Sequence, residues 1–292
     1  MAYEHHYPEG VAFGPASERA REILMEADRE ILREMDEMGG VENYLDAHPE
    51  LLEAFTADKP FLCCMDERTA KGTIHVPGSG IGIEGDVAQQ AFKDRLKDAE
   101  VQGVYSHDGC GAAKIFAEKH GITDFNEAAI QYAQDLAAKL GIPYSGHLKT
   151  SGEHPGRAVY YDATGTLDKG NKIWQEKMPT GFAVSRNVLG QHEALEALVL
   201  AVQIALGDHG PGAGRFTKED PLTLMSIGFE PSAQSLSYIT DKENLQSELQ
   251  LCYERIIETY PDARDRIKIQ GFSIPRKESR PVEEEIDLDI AA

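Results

Sequence analysis

The sequence predicts an α/β protein built on a mainly parallel sheet flanked by helices, with a helical arm at its N-terminus. Three observations carry this. Short apolar runs of strand length recur along the chain, led by Phe61-Leu62-Cys63-Cys64-Met65 and Val101-Gln102-Gly103-Val104-Tyr105. Segments of helical periodicity separate the runs, as crossover connections between parallel strands require, and imply a sheet covered on both faces. An amphipathic segment precedes the first run.

Taken in order, Ser17 to Met38 places Ala20, Ile23, Leu24, Ala27, Ile31, Leu32 and Met35 at helical spacing and stops at Gly39-Gly40. That spacing predicts a helix with a single apolar stripe. A second helix is expected over Glu42 to Phe55. Residues 1–58 therefore read as an arm whose stripe packs on the rest of the chain or on a partner subunit. Residues 59–276 read as one α/β domain. In it, Asp86 to Ala99 is a helix capped by Asp86, and helices follow over Cys110 to Lys119 and Phe125 to Leu140. A β-rich insertion is expected near 144–188, with strands at Arg157 to Asp162 and Gly181 to Arg186. A helix at Gln191 to Leu206, a strand at Leu222 to Phe229, a helix at Lys242 to Tyr260 and a strand at Arg266 to Ile274 complete the domain. Residues 277–292, with Glu283-Glu284-Glu285, read as an acidic C-terminal tail. The sequence shows no internal repeat.

Composition narrows the function. In 292 residues, 50 acidic side chains face 29 basic ones, for a net charge of -21, and 41% of residues are hydrophobic. The apolar share supports a folded core and excludes disorder throughout. The acidity repels phosphate backbones and anionic lipid surfaces, so neither nucleic acid nor a membrane is an expected partner. The most apolar stretch, Ala194 to Leu206, is shorter than the roughly 20 residues that span a bilayer. The first residues lack a basic segment followed by an apolar one, which predicts a cytoplasmic protein. Four cysteines are too few for a disulfide scaffold, and in a reducing compartment clustered cysteines bind metal or catalyse.

Two polar clusters end the leading apolar runs: Cys64-Met65-Asp66-Glu67-Arg68 and His107-Asp108-Gly109-Cys110-Gly111. In open parallel sheets, ligands bind beyond the carboxyl ends of the strands, where both clusters fall. Thiolate and imidazole are ligands that zinc prefers, and three of them leave a tetrahedral position for water. Asp66 and Arg68, two residues apart in an extended chain, can pair so that the carboxylate stays ionised and oriented.

The pattern Cys-x-Asp-x-Arg followed by His-x-x-Cys-Gly resembles the β-class carbonic anhydrases over about Phe61 to Lys114. The resemblance implies that Cys64, His107 and Cys110 bind Zn2+ and that Asp66 and Arg68 form the catalytic dyad. It implies reversible hydration of carbon dioxide to bicarbonate by a metal-activated hydroxide that the dyad orients, and a homodimer or higher homo-oligomer. Ile267-Lys268-Ile269-Gln270-Gly271-Phe272 is similar to the family's closing strand. Ser106 stands where the family usually has glycine, and Pro77-Gly78-Ser79-Gly80-Ile81-Gly82 occupies the approximate place of its Arg-Asn-Ala-Gly segment. Two other functions fit the same residues: hydrolysis of carbonyl sulfide or carbon disulfide, and a non-catalytic zinc-bearing structural or bicarbonate-sensing role with Asp66 in the fourth metal position.

Other motifs have plainer readings. Strand alternation turns Cys63 away from Cys64, and Cys252 belongs to a helix core. Gly80-Ile81-Gly82-Ile83-Glu84-Gly85 matches G-x-G-x-x-G, but the strand candidate before it, Thr73-Ile74-His75-Val76, is short and stops at Pro77, and no clear ribose-binding acid ends a following strand, since Asp108 lies inside the metal motif. It reads as a tight loop that brings backbone to the metal pocket. His5, His6, His75, His120, His147, His154, His192 and His209 read as surface or satisfied histidines, with a proton relay among them left open.

Overall fold

The computed structural model describes residues 18–150, 154, 156–206, 216–230 and 242–275. The arm consists of α1 (Glu18–Glu37), α2 (Val41–Ala47) and a 3-10 turn, Pro49–Ala54. The second helix is thus shorter than its apolar pattern suggests. The Pro49 ring cannot continue a helix from the preceding turn, and His48 takes a non-helical conformation before it.

The next elements are β1 (Phe61–Cys64), β2 (Ile74–Val76), α3 (Asp86–Asp98), β3 (Gly103–His107), α4 (Gly111–His120), α5 (Phe125–Leu140) and β4 (Tyr144–Leu148). They form a parallel sheet of order β2-β1-β3-β4. The cap of α3 is Gly85 at φ 84°, with no side-chain hydrogen bond, and Asp86 is the first helical residue. Asp86 therefore acts through its charge at the positive end of the helix dipole rather than as a cap.

The remaining elements are β5 (Ala158–Asp162), α6 (Lys172–Lys177), β6 (Gly181–Ser185), α7 (Gln191–Leu206), β7 (Leu222–Phe229), α8 (Lys242–Thr259) and β8 (Ile267–Ile274). They build a second parallel sheet of order β6-β5-β7-β8. The fold class is α/β as expected, but with two sheets rather than one. Residues 144–188 are not an insertion in a single sheet: β4 closes the first sheet, while β5 and β6 open the second. The acidic segment 277–292 lies outside the described residues.

Numbered within its own half, each sheet runs second, first, third, fourth, so the topology is repeated where the sequence shows no repeat. Strand order depends on apolar runs and right-handed crossovers, which many unrelated sequences satisfy. The matching edge strands β2 and β6 lie against each other, with the His75 N–H donating to Ser185 Oγ at 2.8 Å. Beyond β1, the Ala183 N–H donates to the Met65 carbonyl at 3.0 Å. The second half thereby presses on the strand ends that carry the candidate site.

Two cores hold this arrangement. One joins Leu62, Val104 and Phe92 to Val159, Val184 and the apolar faces of α5, α7 and α8. The other seats the arm, through Met35, Tyr44 and Leu51, on Tyr160, Met225 and Phe272 of the second sheet. The arm's stripe therefore packs on its own chain. Each such side chain contributes about 1.5–3 kcal/mol by leaving water. Polar ties fix the register: the Val41 N–H donates to Gln270 Oε1 at 3.0 Å, and the Thr180 N–H to Asp28 Oδ1 at 3.0 Å. Among the described residues, no helix is long and apolar enough to cross a membrane.

Candidate metal centre

β1 and β3 are parallel neighbours, pairing Phe61 with Gly103 and Leu62 with Val104, so their carboxyl ends open on the same edge. Cys64 ends β1, His107 ends β3, and Cys110 is the N-cap of α4. The structure brings the three residues together, with their ligand atoms all within 4.8 Å of one another and all three side chains buried.

The donor set fits a zinc-type ion. The Sγ atoms of Cys64 and Cys110 are 3.9 Å apart, close to the ~3.8 Å spanned by two bonds of about 2.3 Å at a tetrahedral angle. His107 Nδ1 donates to the Asp108 carbonyl at 2.8 Å, which makes Nε2 the ligating nitrogen once the ring is neutral. That Nε2 is buried and has no hydrogen-bond partner. A buried ring nitrogen without a partner is costly unless a metal completes it. The cluster can therefore bind a metal ion.

Nearby groups hold the ligands in place. Thr150 Oγ1 donates to the Asp108 carbonyl at 2.6 Å, and His147 Nε2 lies 2.6 Å from Asp108 Oδ1. Ser106 Oγ sits 2.7 Å from His147 Nδ1 and 2.8 Å from the Tyr144 hydroxyl. Serine at 106 thus ties β3 to β4, a link that glycine cannot make. On the other side, the Gly78 N–H donates to Cys64 Sγ at 3.2 Å from a left-handed turn with φ 53°. The Pro77–Gly80 turn does bring backbone to the site.

The charges of the cluster are interdependent. Burial opposes a thiolate at Cys64, but the hydrogen bond from Cys110 and the charge on His107 bring it well below the usual thiol range. Cys110 is pushed up, first by that same bond to Cys64 and then by burial. Burial disfavours the imidazolium of His107, yet the adjacent Cys64 sulfur outweighs it and pushes the ring up to about 9. Cys63, on the opposite face of β1 and fully buried, is pushed up by burial to about 12 and is no ligand.

Asp66 and Arg68 meet in the turn after β1. Asp66 Oδ1 accepts from the Arg68 backbone N–H at 2.8 Å and from Nε at 2.9 Å, and Oδ2 accepts from Nη2 at 2.6 Å. The pair is buried, so it is not a surface salt bridge. Burial opposes ionisation of Asp66, but the bonds from Arg68 hold its carboxyl well below the usual carboxylate range.

Sequence reasoning missed two supports of this turn. Lys169, from the loop between β5 and α6, is buried and donates through Nζ to the Asp66 carbonyl at 2.9 Å. Glu67, whose side chain is fully buried, receives His154 Nδ1 at 3.0 Å on both carboxylate oxygens. Glu67 stood in the singled-out cluster, but nothing in the sequence pairs it with a histidine so far along the chain.

Comparisons of the chain with models of known protein families, with curated proteins and with solved structures find no match.

Proposed function

We propose that this chain is a zinc enzyme that hydrates carbon dioxide reversibly to bicarbonate. One observation carries the reading: a Cys-His-Cys ligand set and an arginine-locked aspartate converge at the ends of two adjacent parallel strands. Two thiolates and one imidazole suit zinc over the harder divalent ions, and three ligands leave a coordination position open. Zinc bound there supplies a water of lowered pKa, and two thiolates make the effect weaker than with three neutral histidines, placing activity at mildly alkaline pH.

The chain's own residues do the rest. His107 is oriented through its Nδ1 bond to the Asp108 carbonyl. Asp66, kept ionised by Arg68, accepts a hydrogen bond from the attacking oxygen and turns its lone pair toward the carbon of carbon dioxide. The bonds from Arg68 to both carboxylate oxygens favour Asp66 as an oriented acceptor over Asp66 as a resting metal ligand.

Metal analysis joined to stopped-flow carbon dioxide hydration across pH tests the proposal. About one zinc per chain and turnover that rises into the alkaline range are expected, with zinc released from Cys110→Ser, because a serine hydroxyl does not ionise as a thiol does. Zinc retained in full by that variant removes the ligand assignment. Turnover of carbonyl sulfide or carbon disulfide but not of carbon dioxide on the loaded protein moves the reading to those substrates, and turnover of none of the three moves it to a non-catalytic role.

A further inference from the structure

Hydration of carbon dioxide yields a proton that has to leave a buried site. Asp66 is a poor vehicle, since Arg68 binds both its oxygens and holds it ionised. Around that carboxylate, Asp66, Glu67 and Arg68 expose only 6%, 0% and 8% of their side chains, whereas His154 exposes 30%. His154 Nδ1, which donates to Glu67, lies 4.0 Å from Asp66 Oδ1, so the ring stands beside the dyad. The imidazole reaches from the dyad to solvent.

Its placement is built rather than incidental. Both oxygens of the fully buried Glu67 accept from Nδ1, and the ring stacks on Phe182 of β6, centroid to centroid at 5.4 Å and 28° from parallel. A fully buried carboxylate has to be hydrogen-bonded, and this histidine is a partner for both of its oxygens. Burial opposes the protonated ring and Arg68 adds to that, yet Glu67 and Asp66 together outweigh both, so the balance lies above the ordinary histidine value. A proton carrier works best when its pKa lies near the operating pH, and a raised histidine suits mildly alkaline turnover.

We propose that His154, oriented by Glu67 and Phe182, is the proton-transfer residue of the site. This rests on the carbon dioxide reading of the preceding subsection. Once bicarbonate has left, the neutral imidazole, whose Nδ1–H stays on Glu67, takes one proton at Nε2 from the water that replaces it, through intervening water, leaving hydroxide and an imidazolium. The imidazolium then gives that proton to a buffer base at the surface, which restores the neutral ring. Glu67 is a positioning residue: its carboxylate accepts from Nδ1 and holds the ring.

The experiment uses the full-length zinc-loaded protein. In His154→Ala, kcat in dilute buffer is expected to fall about tenfold or more, while kcat/KM, which reports attack on carbon dioxide, stays within about twofold. Concentrated imidazole buffer should restore kcat, since it replaces the missing carrier. Independently of activity, proton NMR of the ring should show His154 titrating above the ordinary histidine value and moving down in Glu67→Gln. Zinc content should be unchanged in both variants, so neither effect reflects metal loss.

Several outcomes overturn the relay alone: wild-type turnover with kcat of His154→Ala unchanged in dilute buffer, kcat and kcat/KM falling together without imidazole rescue, or a ring that does not titrate in the working range. A zinc-loaded wild type that hydrates no carbon dioxide at any buffer concentration overturns the function reading, and the relay with it.

Discussion

Arg68 binds both oxygens of the Asp66 carboxylate through its side chain while its own backbone N–H binds Oδ1, so three donors fix one anion. An anion fixed in this way can only accept. Asp66→Asn places an NH2 group where one oxygen received Nη2, opposing two donors. The variant is expected to keep its zinc and to lose about 100-fold or more in kcat, of the order seen when one oriented electrostatic partner is removed. Metal analysis with stopped-flow hydration checks this. A rate within a few-fold of wild type excludes the dyad mechanism.

Zinc loading should release protons in a countable way. Without metal, Cys64 is pushed down, Cys110 is pushed up and so held as the thiol, and His107 is pushed up to about 9 and so carries a proton at pH 7. Binding needs both sulfurs and the ring nitrogen free of protons, so about two are displaced at pH 7, one each from Cys110 and His107. Bound protons oppose zinc, so affinity drops as pH falls, by about 100-fold per pH unit while two are displaced. Calorimetry in buffers of differing ionisation enthalpy reads the number. A release near zero would show that this charge pattern is wrong.

The parts of this protein legible in its sequence are those set by local chemistry. The boundaries of α5, α7 and β7 followed from periodicity, and Cys64 and His107 at strand ends and Cys110 at the helix start announced themselves by residue type. The doubled sheet was not legible, because strand order is a long-range outcome and the two halves share a topology rather than residues. Lys169 and His154 were hidden for the same reason: they reach Asp66 and Glu67 from 103 and 87 residues away. Pro49, by contrast, was a visible break signal inside the second arm helix.

Gly78 brings backbone close to the candidate metal ligands. A Cβ there would lie 2.5 Å from Ile81 Cγ2, 3.1 Å from Ala112 Cβ and 3.4 Å from Cys110 Sγ. Its φ of 53° adds strain for any other residue. Gly78→Ala should move the turn, break the N–H bond to Cys64 Sγ and weaken zinc binding about 10- to 100-fold, in the range typical of disturbed groups behind a metal ligand. Competition with a chelator measures it. Unchanged affinity would mean that the turn is a bystander.

Arg68→Ala separates holding from mere pairing. The side chains of the pair are only 8% and 6% exposed, so deletion of the guanidinium leaves a buried carboxylate without its partner. In the zinc-free protein that loss should cost about 3–5 kcal/mol, the usual penalty for breaking a buried pair on one side. In the loaded protein Asp66 is free to turn toward the cation, which replaces the lost charge and offsets much of the cost. Melting temperature should therefore fall clearly in stripped Arg68→Ala and little in the loaded form, while hydration collapses because the carboxylate occupies the position that water needs. Raising the pH should not restore activity, since the defect is a filled position rather than a bound proton. Equal destabilisation with and without zinc, or activity that returns at high pH, would show that Arg68 only neutralises Asp66 and does not keep it off the metal.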